Sequence, residues 1–76
     1  MTEAAATAIQ NILSKPYLKG KKIIAVSYKS KVLHLTICPT VLLDENRGKV
    51  YEFLMESAQV AREVVAELKK RVSFRV

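Results

Sequence analysis

The sequence predicts an α+β fold in one small domain spanning residues 1–76, in the order helix, β-hairpin, long helix. Three observations carry this. "TEAAATAIQNILSK" repeats apolar residues at helical spacing, "KKIIAVSYKSKVLHLTICP" alternates aliphatic with polar residues, and a helical period returns from Val50 onward. A chain of 76 residues buries only a modest core, so association is expected to add stability.

In the first segment Ala5, Ile9, Ile12 and Leu13 share one helical face, with alanines between them and Thr2 as a candidate N-cap. Pro16 disfavours helical geometry at Lys15, so the helix ends there and "PYLKG" is a connector. In the second segment a turn at Lys29 and Ser30 sets Ile24 opposite Leu35 and Val26 opposite Leu33 on an aliphatic face. The mixed face then pairs Ile23 with Thr36, Ala25 with His34 and Ser27 with Val32. One aliphatic and one mixed face describe a half-buried antiparallel pair. "YKSK" offers no Gly or Asn for a two-residue turn, so a four-residue loop in the same register is equally expected.

Pro39 stops the second strand, and "TVLLDENRGK" is a transition with Thr40, Asp44 and Asn46 available as caps. From Val50, residues Val50, Phe53, Leu54, Ala58, Val60, Ala61, Val64, Val65 and Leu68 fall within an arc of roughly 160° on a helix. A hairpin and a short helix cover little of so wide a stripe. Val50, Phe53, Leu54, Ala58, Ala61 and Val65 are therefore candidate dimer-interface residues, against the simpler reading that the first helix covers them all. The tail "RVSFRV" places Val72, Phe74 and Val76 on one side and reads either as a short last strand or as a frayed helix end.

Charge is unevenly spread. Thirteen Lys and Arg against seven Asp and Glu give a net charge of +6, which favours an anionic partner. Residues 15–39 hold Lys15, Lys19, Lys21, Lys22, Lys29 and Lys31 without one acid, and the C-terminal end adds Lys69, Lys70, Arg71 and Arg75. Glu52, Glu56, Glu63 and Glu67 line the back of the expected long helix. "KKR" there complements the helix dipole and allows a Glu67–Arg71 pair, which is reason enough for its presence. The hairpin lysines have no such local role, and their mutual repulsion tilts the reading toward presentation to an anion.

Other chemistry finds little support. His34 has no second ligand at metal spacing, and Cys38, the only cysteine, has no partnered His and reads as a packed thiol. No catalytic residue, metal site or cofactor is expected, because Gly-rich phosphate loops, GxSxG, CxxC and HExxH are all missing. Tyr28, beside the lysine turn, reads equally as a base-stacking residue or as a cap on the hairpin core. A lone cysteine, no signal-peptide pattern and no transmembrane-length apolar run lead to the expectation of a cytoplasmic protein with no membrane partner.

"IIAVSYKSKVLHLTICPTVLLDE" followed by an amphipathic helix containing "FLMESAQVA" resembles the YbaB/EbfC family of nucleoid-associated proteins over about residues 20–68. "RGKVYEFLMESAQVAREV" is also similar to the helix of the Alba chromatin family, which ranks second because residues 23–37 read as strand where that family has helix. Both resemblances imply a small dimeric nucleic-acid binder. The expectation is thus a non-enzymatic protein that binds nucleic acid as a homodimer, DNA ahead of RNA, nucleoid-associated in a prokaryote. Its phosphate contacts would come from Lys15, Lys19, Lys21, Lys22, Lys29, Lys31, Lys69, Lys70, Arg71 and Arg75. The alternative is a protein–protein module or assembly subunit that uses the apolar face of the long helix.

Overall fold

A computed structural model describes residues 1–75 and has the α+β architecture, with one strand more than expected. Helix α1 (Glu3–Leu13) begins at Thr2, whose hydroxyl accepts the Ala5 N–H at 3.2 Å, and Glu3 adds a favourable charge at the dipole's positive end. The helix stops before Pro16, which opens a single 3-10 turn, Pro16–Leu18. Strands β1 (Lys21–Lys29), β2 (Val32–Pro39) and β3 (Lys49–Leu54) form an antiparallel meander in the order β1-β2-β3. Helix α2 (Ala58–Arg71) closes the domain, and Ser57 caps it by accepting the Val60 N–H at 3.3 Å.

Both helices lie on one face of the sheet. Leu33, Leu35 and Ile37 of β2 point into that layer and meet Ala5, Ile9 and Ile12 of α1 and Val60, Ala61, Val64 and Leu68 of α2. Each fully buried aliphatic side chain contributes about 1.5–3 kcal/mol, so this layer holds the fold together. Among the described residues no helix covers the other sheet face; the segment between β2 and β3 covers only its end, where Cys38 is buried. Strand alternation puts Val32, His34 and Thr36 there with Ala25, Ser27 and Lys29 of β1 and Val50, Glu52 and Leu54 of β3.

The hairpin forms, but two residues out of the expected register. Val26 faces Leu35 and Tyr28 faces Leu33, and Ser30 and Lys31 make a two-residue turn with φ of 53° and 66°. A two-residue slip keeps each side chain from Ala25 to the turn on its expected face, so alternation predicts the faces there while leaving the partners open. The observed register gains a Tyr28–Leu33 pair in the core layer. Left-handed backbone at two non-glycine residues costs roughly 1–2 kcal/mol each, and the added cross-strand contacts offset it.

A β-bulge at Ile24 corrects the rest of the pairing. Register shifts between Ile23 and Ala25, so Ile23 faces Ile37, not Thr36, and is buried in the core layer. The same bulge turns the Ile23 backbone outward. Its N–H donates to the Ser73 carbonyl at 2.9 Å, and its carbonyl accepts the Arg75 N–H at 2.9 Å. Phe74 therefore lies parallel to β1 as a single bridge, which gives the tail its strand character. Val76, read with Val72 and Phe74, lies outside the described residues.

The larger correction is β3. Residues 49–54 are extended, and α2 starts only at Ala58, so Val50, Phe53 and Leu54 are not on a helix. "KVYEFL" alternates, with Tyr51 and Phe53 on the helix-covered side and Val50, Glu52 and Leu54 on the open side, and its β-branched and aromatic residues suit a pleated surface. Gly48 admits the chain to the sheet: a Cβ there would stand 2.6 Å from the Thr36 methyl carbon. Before it, the Asp44 carboxylate accepts the Asn46 N–H at 3.0 Å and caps a 3-10 turn, Glu45–Arg47.

Candidate nucleic-acid interface

Of the ten predicted phosphate-binding residues, Lys15, Lys19, Lys21, Lys22, Lys29, Lys31 and Arg75 fall into two groups joined by β1. Lys29 and Lys31 stand at the hairpin tip. Lys21 and Lys22 begin β1 at its other end, about 26 Å away for eight extended residues. Lys15 and Lys19 precede them in the connector, and the tail bound to Ile23 brings Arg75 and the end of α2 to the same end of the strand.

Helix α2 supplies a cation beyond those ten. At about 100° per residue, Arg62, Ala66 and Lys69 fall on one flank of the helix, with Lys70 next to them. That flank borders β1: Arg62, Lys69 and Lys70 line a groove of about 610 Å³ with Val26, Ser27, Tyr28, Ala61 and Val65. The sequence signal for Arg62 is its spacing from Lys69 and Lys70, which is masked when the helix is taken to start eight residues early.

The acids of α2 face the other way. Glu63 accepts the Thr2 N–H at 2.8 Å and its hydroxyl at 3.2 Å, and these bonds hold its carboxyl below the usual glutamate range. Glu67 accepts from Arg71 Nε at 2.8 Å, the pair expected from sequence, and that bond likewise lowers its pKa. Arg71 is thereby turned toward α1, where it borders Ile9, Gln10 and Leu13, and is set apart from Lys69 and Lys70. Glu56 borders Thr2 and Glu3, and Glu52 lies on β3.

The six residues expected at a dimer interface do not form one surface. Val50 and Leu54 are on the open sheet face, and Phe53 is on the covered face at the β3 edge. Ala61 is buried in the core layer, while Ala58 and Val65 border the groove beside β1. The apolar helix face invoked for a protein partner is likewise spent on the sheet, because Val60, Ala61, Val64 and Leu68 are buried there.

His34 sits on the open face between Ser27 and Glu52, with its Nδ1 buried and unpartnered. Among the described residues no three His, Cys, Asp or Glu side chains converge as a metal site, and no helix is long and apolar enough to cross a membrane. No family model, curated protein or solved structure matches this chain. Residues 23–37 are strand, unlike the Alba helix, and β3 occupies the position from which the YbaB/EbfC-like long helix was expected to run.

Proposed function

We propose that this chain is a non-enzymatic nucleic-acid-binding protein that contacts phosphates with little sequence preference, DNA ahead of RNA. One observation carries the reading: the flank made by β1, the hairpin tip and the outer side of α2 is basic without an interposed acid. Lys21, Lys22, Lys29, Lys31, Arg62, Lys69 and Lys70 lie along it, while the acids of α2 are engaged toward α1. Such a row matches a phosphate backbone, which supplies affinity but no base code. The cytoplasm, or the nucleoid of a prokaryote, is the compartment that fits this role.

The test is a salt-titrated binding assay on duplex DNA, single-stranded DNA and RNA. Replacing Lys21, Lys22, Lys29 and Lys31 together by Gln is expected to leave the fold intact and weaken binding to all sequences alike. The log–log salt slope should shrink by about 0.9 for each duplex phosphate that is no longer neutralised. Binding unchanged in this variant, or no salt-sensitive binding to any of the three, contradicts the reading.

The homodimer belongs to the same proposal, now sited on the open sheet face. Val32, Val50 and Leu54 give that face an apolar character, with Leu54 80% exposed. Sedimentation should give about twice the chain mass of 8.5 kDa, and Leu54→Lys should return the monomer. A parent that sediments as a monomer refutes it.

A further inference from the structure

The groove between β1 and α2 has features that phosphate binding does not use. The two-residue turn closes on the Lys29–Val32 pair, so Lys29, Ser27 and Ala25 direct their backbone groups toward β2. Val26 and Tyr28 direct theirs outward, and neither has a backbone partner beyond the sheet among the described residues. Farther along the same edge, the outward groups of Ile23 are taken by the chain's own tail. One stretch of this edge is therefore already extended by an added strand, and the next stretch is open.

The open stretch is unguarded. Edge strands commonly deter pairing with a charged side chain, and β3 has Glu52 at the middle of its outer edge. Val26, Ser27 and Tyr28 are uncharged, and the wall opposite them is Ala58, Ala61 and Val65 of α2. The charged residues bordering the groove are Arg62, Lys69 and Lys70, all cations.

We propose that this groove takes an extended peptide from an acidic protein, which adds a strand to β1 at Val26 and Tyr28. Alternate apolar side chains of the peptide enter the groove, and flanking carboxylates meet Arg62, Lys69 and Lys70. Backbone pairing supplies affinity, and the cations select acidic flanks over basic ones.

The probe is a fluorescein-labelled peptide alternating valine and threonine between paired glutamates, titrated into the full chain and followed by anisotropy and amide chemical shifts. Shifts are expected at residues 25–29 and along Arg62–Lys70. A lysine-flanked peptide should bind about tenfold or more weakly, as should one N-methylated at its central residues, given the worth of one or two hydrogen bonds or charge contacts. Val26→Pro removes an outward N–H without breaking the ladder to β2, and should weaken peptide binding while leaving duplex DNA binding unchanged. Ala66→Glu, an exposed change beside the cations, should weaken the peptide if Pro disturbs the strand. Equal binding of the N-methylated peptide, or no saturable binding, overturns the proposal. So does a shift of residues 25–29 with protein concentration alone, which would make the occupant a second β1, or with DNA but not peptide, which would make the groove a nucleic-acid surface.

Discussion

Along β1 the sheet ends in lysines and in a row of backbone groups only partly taken up by the tail. Along β3 it ends in Glu52 and an aromatic pair, Tyr17 and Tyr51, packed edge to face with ring centroids 4.0 Å apart. Burial, reinforced by the neighbouring Tyr51 hydroxyl, pushes the Tyr17 phenol up from its usual value, as expected for a ring used in packing. The Lys49 ammonium lies 5.4 Å from the Tyr51 ring centre, so even the cation beside this edge is drawn onto its aromatic cluster. The β3 edge draws Tyr51 and Lys49 into a local aromatic cluster, and the β1 lysines make no such contact among the described residues. In a domain this small, side chains that stabilise nothing locally are the best guide to what the surface meets.

The largest effect comes from a residue that serves both edges. Leu35 is fully buried in β2 between them, and Leu35→Ala should cost about 2–5 kcal/mol in denaturant unfolding. A smaller loss confined to one edge would show that the edges unfold separately and would break the comparison. Phe74→Ala tests the β1 side alone. Phe74 is only partly buried, so a loss of about 1–2 kcal/mol is expected, below the roughly 3–5 kcal/mol of a fully buried ring. Amide exchange should quicken at Ile23 and Arg75 while β3 amides stay protected, because the tail bonds to β1.

The hairpin turn offers a smaller gain. Lys31 holds φ at 66°, and Lys31→Gly should stabilise the chain by about 0.5–1 kcal/mol, the relief of left-handed strain less the entropy of glycine. Destabilisation would mean that the lysine side chain contributes contacts of its own at the tip. The smallest effect is Glu63, whose usual value of 4.5 is lowered mainly by the Thr2 N–H. A folded pKa below the unfolded one gives stability present above the unfolded value and lost as pH falls through the folded value. Carboxyl chemical shifts of Glu63 should titrate below an unstructured glutamate, and Thr2→Pro, which removes that N–H, should move them back up.

Much of the fold is legible in the sequence because its signals are local. Thr2, Pro16, the alternation from Ala25 to Ile37 and the Glu67–Arg71 spacing each act within a few residues, and each is realised. The third strand is not legible because "KVYEFL" satisfies two periods at once: Val50, Phe53 and Leu54 match a helical stripe, while Tyr51 and Phe53 match an alternating strand. Pairing with β2 decides between them, and that is a non-local contact. The Ser57 cap, placed before Ala58, is the local sign that the helix begins later. The Ile24 bulge has no marker such as glycine, and only the burial gained by Ile23 and the hydrogen bonds gained from the tail explain it. Along the sequence the basic flank is only a series of lysines; its continuity depends on α2 lying beside β1, which no spacing along the chain encodes.

Cys38 has a practical consequence. The thiol is fully buried at the end of β2, and its Sγ lies 3.8 Å from the Asp44 carbonyl, beneath the segment that links β2 to β3. A thiol reagent reaches it only when that segment lifts or the whole domain opens. As each chain has a single cysteine, the labelling rate in native buffer is an undivided record of that opening. Where reclosing outpaces labelling, the rate gives the free energy of the opened state directly. Its dependence on mild denaturant then tells a lifted loop, which exposes little surface, from global unfolding, which exposes much.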